Sequence, residues 1–260
     1  MKEQRQQPLR QTAEKNVQDV VQVDLERDYV MKIRLKFTKQ GPVKYVGHLD
    51  TMRLFQRAIK VAGIPVAYSQ GFSPHSLVYF ALPLGVGVSS TGEYMEIITA
   101  EDIAPESVMN RLNKVLVGGI CILESWQVED KGDSLMSLVA AADYDIRLVL
   151  KENDSLSAEL LKERLSRSDE LTVMKKGKKG IKPIDIKPLI LSCNIVACED
   201  GIHIQSQVLA GSSQNLNPEL LVKALIEEYT TDYEIQVTRK EMYTEGHQGY
   251  QAIDTFGRVE

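Results

Sequence analysis

Apolar and polar residues alternate from Met31 onward, with Ile33, Leu35 and Phe37 interleaved with Lys32, Arg34 and Lys36. A period of two marks a strand with one face buried and one face wet. After Asp50 and Thr51, residues suited to capping a helix, the period lengthens. Met52, Phe55, Ala58, Ile59 and Ala62 fall on one helical face, and Gly63 and Pro65 close the helix. Arg53, Arg57 and Lys60 share the opposite face. The loop Ser69-Gln70-Gly71-Phe72-Ser73-Pro74-His75 leads to a strand over Leu77–Leu82, and a returning strand follows over Tyr94–Ile98. A second helix opens at Pro105-Glu106 and ends at Gly118-Gly119, before a last strand over Ile120–Glu129. The order β-α-β-β-α-β is that of a ferredoxin-like unit.

The pattern then repeats. Ile33-Arg34-Leu35 recurs as Ile146-Arg147-Leu148 (146 − 33 = 113), and Pro105-Glu106 recurs as Pro218-Glu219 (218 − 105 = 113). The final strands, around Ile122 and Ile235, keep the same spacing. Three features at one offset predict a duplication. In the second copy the first helix, Ala158–Leu165, is shorter, and Asp200-Gly201 turns a hairpin between strands over Ile190–Cys198 and Ile202–Leu209. The expected fold is α+β, two tandem ferredoxin-like (βαββαβ) units. Residues 1–30 read as a flexible extension that docks through Val17, Val20 and Val21; 31–129 form the first domain, 130–142 a linker, 143–243 the second domain and 244–260 a polar tail.

Composition narrows the class. The chain has 260 residues, of which 43% are hydrophobic and 26% charged, as in folded globular proteins. No apolar run approaches the length of a membrane span, and the first thirty residues lack the apolar core of a signal peptide. Three cysteines suit a reducing, cytoplasmic setting, and Cys193 and Cys198 are expected as buried strand thiols rather than a disulfide or metal pair. A net charge of −5 disfavours a protein that coats nucleic acid indiscriminately, so an RNA contact has to come from a local patch. No membrane or DNA partner is expected.

Several segments resemble a bacterial family of radical-SAM-associated proteins of unassigned function. They are Lys44-Tyr45-Val46-Gly47-His48-Leu49-Asp50, Ala67-Tyr68-Ser69-Gln70-Gly71-Phe72-Ser73-Pro74-His75, Pro83-Leu84-Gly85-Val86-Gly87, Gly211-Ser212 and Asn215-Leu216-Asn217-Pro218-Glu219. The resemblance covers Met31 to Tyr243, and its Gly-Phe-x-Pro-His loop is the most specific part. Where that family has Ser before His-Leu-Asp, this chain has Gly47. The resemblance implies an accessory role in RNA or ribosome chemistry beside a radical SAM protein, and it carries no catalytic residues over. The chain lacks Cys-x3-Cys-x2-Cys, so it cannot itself hold that partner's cluster; no cofactor of its own is expected.

Three groups of residues are candidates for chemistry. His48, Asp50 and His75 suit acid–base work, a carboxylate orienting a histidine, if the two loops meet at one end of the sheet. Otherwise Asp50 is a helix cap and both histidines bind loop backbone. No further ligand is spaced for a metal. The run Lys175-Lys176-Gly177-Lys178-Lys179-Gly180-Ile181-Lys182 has the density and backbone freedom to follow phosphates, or else forms a solvated hairpin tip. Arg53, Arg57 and Lys60 are a second basic surface. Tyr68, Phe72 and Tyr79 are placed to stack bases, and Trp126 reads as core. The leading expectation is a non-catalytic RNA- or partner-binding accessory. Two alternatives stand beside it. One is a metal-independent RNA endonuclease using His48 or His75, by fold-level analogy with the tandem ferredoxin-like CRISPR-repeat-processing endoribonucleases; the other is a protein adaptor without RNA contact.

Overall fold

The alternation at Met31 forms strand β1 (Met31–Lys39), and the helical stripe after it forms α1 (His48–Val61). A computed structural model describes residues 30–129, 133–150, 156–167, 169–177, 180–226, 229 and 233–259. The first half continues with β2 (Val78–Phe80), β3 (Ser89–Thr99), α2 (Pro105–Asn113) and β4 (Ile120–Val128). A single turn, α3 (Leu135–Leu138), leads into β5 (Ala141–Leu150), α4 (Ala158–Arg167) and a separate hairpin of β6 (Thr172–Gly177) and β7 (Gly180–Asp185). The second half ends with β8 (Ile190–Cys198), β9 (Gly201–Leu209), α5 (Pro218–Ile226), β10 (Tyr233–Gly246) and β11 (Gly249–Ala252). The expected extension over residues 1–30 lies outside the described residues except for Val30.

Nine strands form one sheet in the order β4-β1-β3-β10-β5-β9-β8, with β2 beside β3 and β11 beside β10. Every neighbouring pair is antiparallel except β3 with β10, which run parallel over Ser89 and Ser90 against Thr238 and Arg239. The result is a mixed α+β protein built on a large, mostly antiparallel sheet. Phe37, Phe55, Met95, Ile97, Val108 and Leu112 pack between the first half's sheet and its two helices. A second core crosses the halves, joining Tyr94, Trp126 and Val128 to Leu135, Tyr144, Ile146 and Met242. The region expected as a linker therefore contributes a helical turn with a buried Leu135 and the first residues of β5.

Two local expectations change. Helix α1 begins with Gly47 as N-cap rather than at Asp50, and Thr51 turns its hydroxyl back to donate to the Gly47 carbonyl at 3.0 Å. The polar face of β1 is also not wet. Arg34 is buried against Glu96 at 2.8 Å and donates to the carbonyls of Ile253 and Phe256. Lys36 contacts Glu241 at 2.6 Å and Asp254 at 2.7 Å. The chain after β10, expected as a polar tail, covers this face. Ile253 is buried, Arg258 lies 4.3 Å above the Trp126 ring, and Arg258 bridges to Val128 beside β4. Alternation identified the strand; what covers its second face comes from 219 residues further along the chain.

At the β3–β10 seam the backbones approach so closely that a Cβ on Gly92 would sit 2.3 Å from the Lys240 carbonyl oxygen. Arg239, 1% exposed, reaches across it to Glu93 through two bonds of 2.8 and 2.6 Å and donates to the Leu82 carbonyl at 3.0 Å. Burial opposes the charge of Arg239, but Glu93, with Tyr144 beside it, raises its pKa above the ordinary arginine value. Removing one member of such a pair strands the other without water, whereas replacing both by apolar groups of similar volume is often tolerated. Glu93→Gln should lower unfolding stability in urea by roughly 3–5 kcal/mol, and Glu93→Gln/Arg239→Met should recover most of it. A Glu93→Gln loss under about 1 kcal/mol would show that the pair does not hold the seam.

Candidate functional site

Two of the motif segments converge at the far end of β1. The Gly87 amide donates to the Lys44 carbonyl at 2.9 Å, which ties Pro83–Gly87 to the turn before α1. Beneath them Lys39, only 2% exposed, donates to the Val46 carbonyl at 2.6 Å. His48, the first residue of α1, sets its ring edge-on to Phe80 with centroids 5.6 Å apart. Both polar side chains line a cavity of about 10 Å³ closed by Phe37, Phe80, Leu82 and Leu84, with Thr51 and Glu93 on its wall. That volume suits a single water and no substrate. Burial lowers the pKa of Lys39, against the pull of Glu93. Burial likewise lowers that of His48, with Glu93 opposing and Lys39 assisting.

The histidines and Asp50 are not brought together. Residues two apart on a helix point to different sides, and Asp50 instead pairs with Arg53 at 2.9 Å in solvent. His75 lies past Leu77 and Ala67, which bond to Ile98 at the opposite end of β3 from Ser90. The ring Nδ1 of His75 shares a 2.7 Å hydrogen bond with Ser69 Oγ, and its amide donates to the same oxygen at 3.1 Å. Because α1 runs the length of the sheet, roughly 20 Å for its 14 residues, the two histidines occupy separate ends. The shared concave site expected for them is absent.

The basic residues lie where anions have access. Lys175 and Lys182 face each other directly across the β6–β7 ladder and are exposed. Lys176 pairs through its backbone with Ile181, and Lys178 and Lys179 lie outside the described residues. The base of the hairpin is fixed by buried Leu171, Val173 and Ile186 and by Asp185, whose carboxylate accepts from the amides of Leu171 and Lys187. Arg53, Arg57 and Lys60 run along the exposed side of α1, the first two flanking a groove of about 390 Å³ floored by Leu54, Val61, Val115 and Val117. Phe72 stands wholly in solvent beyond Gly71, whose φ of +117° favours glycine; Tyr68 and Tyr79 are also exposed, whereas Trp126 is buried.

Cys198 and Cys121 are exposed, which corrects the expectation that Cys198 is buried; Cys193 is partly buried, and burial pushes its thiol pKa up to about 11. Among the described residues no group of three or more His, Cys, Asp or Glu side chains is placed to hold a metal, and no helix is long and apolar enough to cross a membrane. The important polar residues missed in the sequence are Lys39, Glu93 and Arg239. Each sits on the apolar phase of its strand, Lys39 with Ile33, Leu35 and Phe37, Glu93 with Met95 and Ile97, and Arg239 with Ile235 and Val237. A charge in the inward phase was the available signal.

Fold and site together define an α+β protein with a closed polar pocket under its motif loops and a basic hairpin beside its main sheet. Residues 32–218 match a bacterial family model described as "Uncharacterized protein conserved in bacteria (DUF2344)", and the chain belongs to that family. No curated protein matches the sequence. Among solved structures, a chain of a Cbf5-Nop10-Gar1 complex is 8% identical at a TM-score of 0.45; the match covers 82% of this chain but only 50% of that one. A protein described as unknown from Galdieria sulphuraria is 11% identical at a TM-score of 0.24, covering 80% and 98% of the two chains. DyPB from Rhodococcus jostii RHA1 is 11% identical at 0.21, covering 75% and 83%. Likenesses this slight carry no argument about function.

The depressed His48 pKa fixes the sign of a pH effect. The fold favours neutral His48, so the unfolded chain binds the extra proton and stability falls as pH drops through the ordinary histidine pKa of about 6.5 toward the lower folded value. The melting temperature should therefore fall from pH 8 to about pH 5 less steeply in His48→Asn than in the unaltered protein. Identical slopes would mean that His48 titrates as it does in the unfolded chain.

Proposed function

We propose that this protein is a non-catalytic RNA-binding accessory that works with a radical SAM protein and contacts phosphates through the β6–β7 hairpin. One observation carries the RNA part of the reading. Lys175 and Lys182 stand directly opposite each other on an exposed hairpin whose base is anchored. Like charges across a ladder destabilise it, so the arrangement contributes nothing to the hairpin alone and gains from a bound anion. A protein of net charge −5 that concentrates lysines at one tip has a local contact for a polyanion. Exposed Phe72 and Tyr68 add faces on which unpaired bases stack.

The partner rests on the motif resemblance, chiefly Gly71-Phe72-Ser73-Pro74-His75. For the architecture, we read the halves as tandem ferredoxin-like units from a duplication. The matching strand orders β4-β1-β3-β2 and β10-β5-β9-β8, and the prolines that open α2 and α5, support that reading. The β6–β7 hairpin is then an insertion between the first helix and second strand of the later unit.

The test is filter retention of small RNA by the full chain across a salt series. Replacing Lys175, Lys176, Lys178 and Lys179 by Gln should weaken retention and flatten the log–log salt slope by up to about 3, at about 0.7 per lost phosphate contact. Melting temperature should stay nearly constant and no RNA should be cleaved. Equal retention by both proteins at low salt would refute the hairpin as the contact.

A further inference from the structure

The two outer edges of the main sheet are treated differently. At β4 the Asn113 side chain occupies the strand's backbone, donating to the Ile122 carbonyl at 2.9 Å and accepting from its amide at 2.8 Å. Further along, the chain end covers the same strand. The Glu129 amide donates to the Gly257 carbonyl and the Val259 amide to the Gln127 carbonyl, both at 3.1 Å, and Arg258 pairs with Glu124 at 2.6 Å. This edge is closed.

At the other end, among the described residues, β8 pairs only with β9 and no backbone hydrogen bond reaches it from outside the sheet. Its sequence, Ile-Leu-Ser-Cys-Asn-Ile-Val-Ala-Cys, contains no charge and no proline. Its register is regular from Ser192 to Cys198 after a bulge at its start, and Asn194, Val196, Ala197 and Cys198 are exposed. Soluble proteins defend such edges with lysine, proline, bulges or a covering segment, because unpaired backbone on a flat apolar strand templates pairing with another strand. Over Ser192–Cys198 this edge has no lysine, proline or bulge, and no covering segment among the described residues.

We propose that β8 is a homodimer interface in which two copies pair antiparallel about a two-fold axis through Ile195, the middle of the Ser192–Cys198 ladder. The uncharged sequence points to a second copy rather than a charged partner strand. A strand that meets its own copy places its residues opposite one another in reciprocal pairs, and here Asn194 faces Val196, Cys193 faces Ala197 and Ser192 faces Cys198 with no like-charge conflict. The axis is perpendicular to the sheet, so the same face of both copies points the same way. That face carries an open polar groove of about 510 Å³ lined by Asp143, Ser192, Asn194, Gln205 and Gln207. Pairing joins the two grooves across the axis into one trough built by both copies.

The experiment is analytical sedimentation of the full chain from about 5 to 100 µM, where a dimer population must rise with concentration. Dimer is expected for the unaltered protein. Asn194→Lys/Val196→Lys places lysines opposite lysines twice across the axis and should weaken dimerisation at least about tenfold. Asn194→Glu/Val196→Lys makes both pairs attractive and should restore it. Amide exchange over Ser192–Cys198 in the unaltered protein should slow as concentration rises, a readout that survives even if the lysine variant fails to fold. A protein that is monomeric throughout, exchange there that ignores concentration, or a dimer unmoved by the two lysines each overturns the proposal.

Discussion

Arg239 and Glu93 meet where the two halves join, and much of the architecture follows from that meeting. The β3–β10 junction is only two residue pairs long, too short for backbone bonds alone to fix the halves against each other. Beside the core that crosses the halves, what fixes their register is a charge that cannot stay unpaired. With Arg239 out of water, any sliding of β10 along β3 would separate it from Glu93 and from the Leu82 carbonyl. Gly92 permits the approach, and the Ser90 hydroxyl adds a bond to the Arg239 carbonyl at 3.0 Å. Buried ion pairs are poor sources of net stability but good at penalising wrong arrangements, and register is what a short parallel junction lacks.

The same chemistry explains which parts of the molecule were legible in the sequence. Elements with a clean period, β1, α1, α2 and β9, could be read because burying one face imposes that period on the residues. The seam could not be read, because Lys39, Glu93 and Arg239 look polar one at a time and become informative only when each is seen on the inward phase of its strand. The wet face expected for β1 failed for a different reason. Alternation reports that two faces differ but not what covers the second, and here the cover is Ile253, Asp254 and Phe256, remote in sequence. Helix α1 began a turn early because a glycine N-cap offers no side chain to recognise.

The candidate site divides in the same way. The loop with Phe72 is exposed as expected, since its glycine and proline set a surface path that no core reaches around. Motif residues near His48, by contrast, divide: the Val46 carbonyl accepts from Lys39 and the His48 ring meets Phe80, while Tyr45, Leu49 and Asp50 stay exposed. A histidine beside a carboxylate in sequence suggested an acid–base pair, yet helical geometry turns Asp50 outward to Arg53. Chemical suitability read from neighbours in sequence holds only where the local period brings the side chains to the same side.

The cover over Arg34 and Lys36 also imposes an order of assembly. Ile253 follows Arg34 by 219 residues, so the cover emerges after β1 in synthesis, which proceeds from the N-terminus at about 5–20 residues per second. Before the cover is made, Arg34 already has Glu96 of β3 as its partner, but Lys36 lacks Glu241 and Asp254, and the flank of β4 lacks its backbone partners. Synthesis of Glu241 and then of Ile253 to Val259 supplies those partners and closes that flank. The finished fold is thus a record of order as well as of contacts: a segment made long after β1 is the one that hides it.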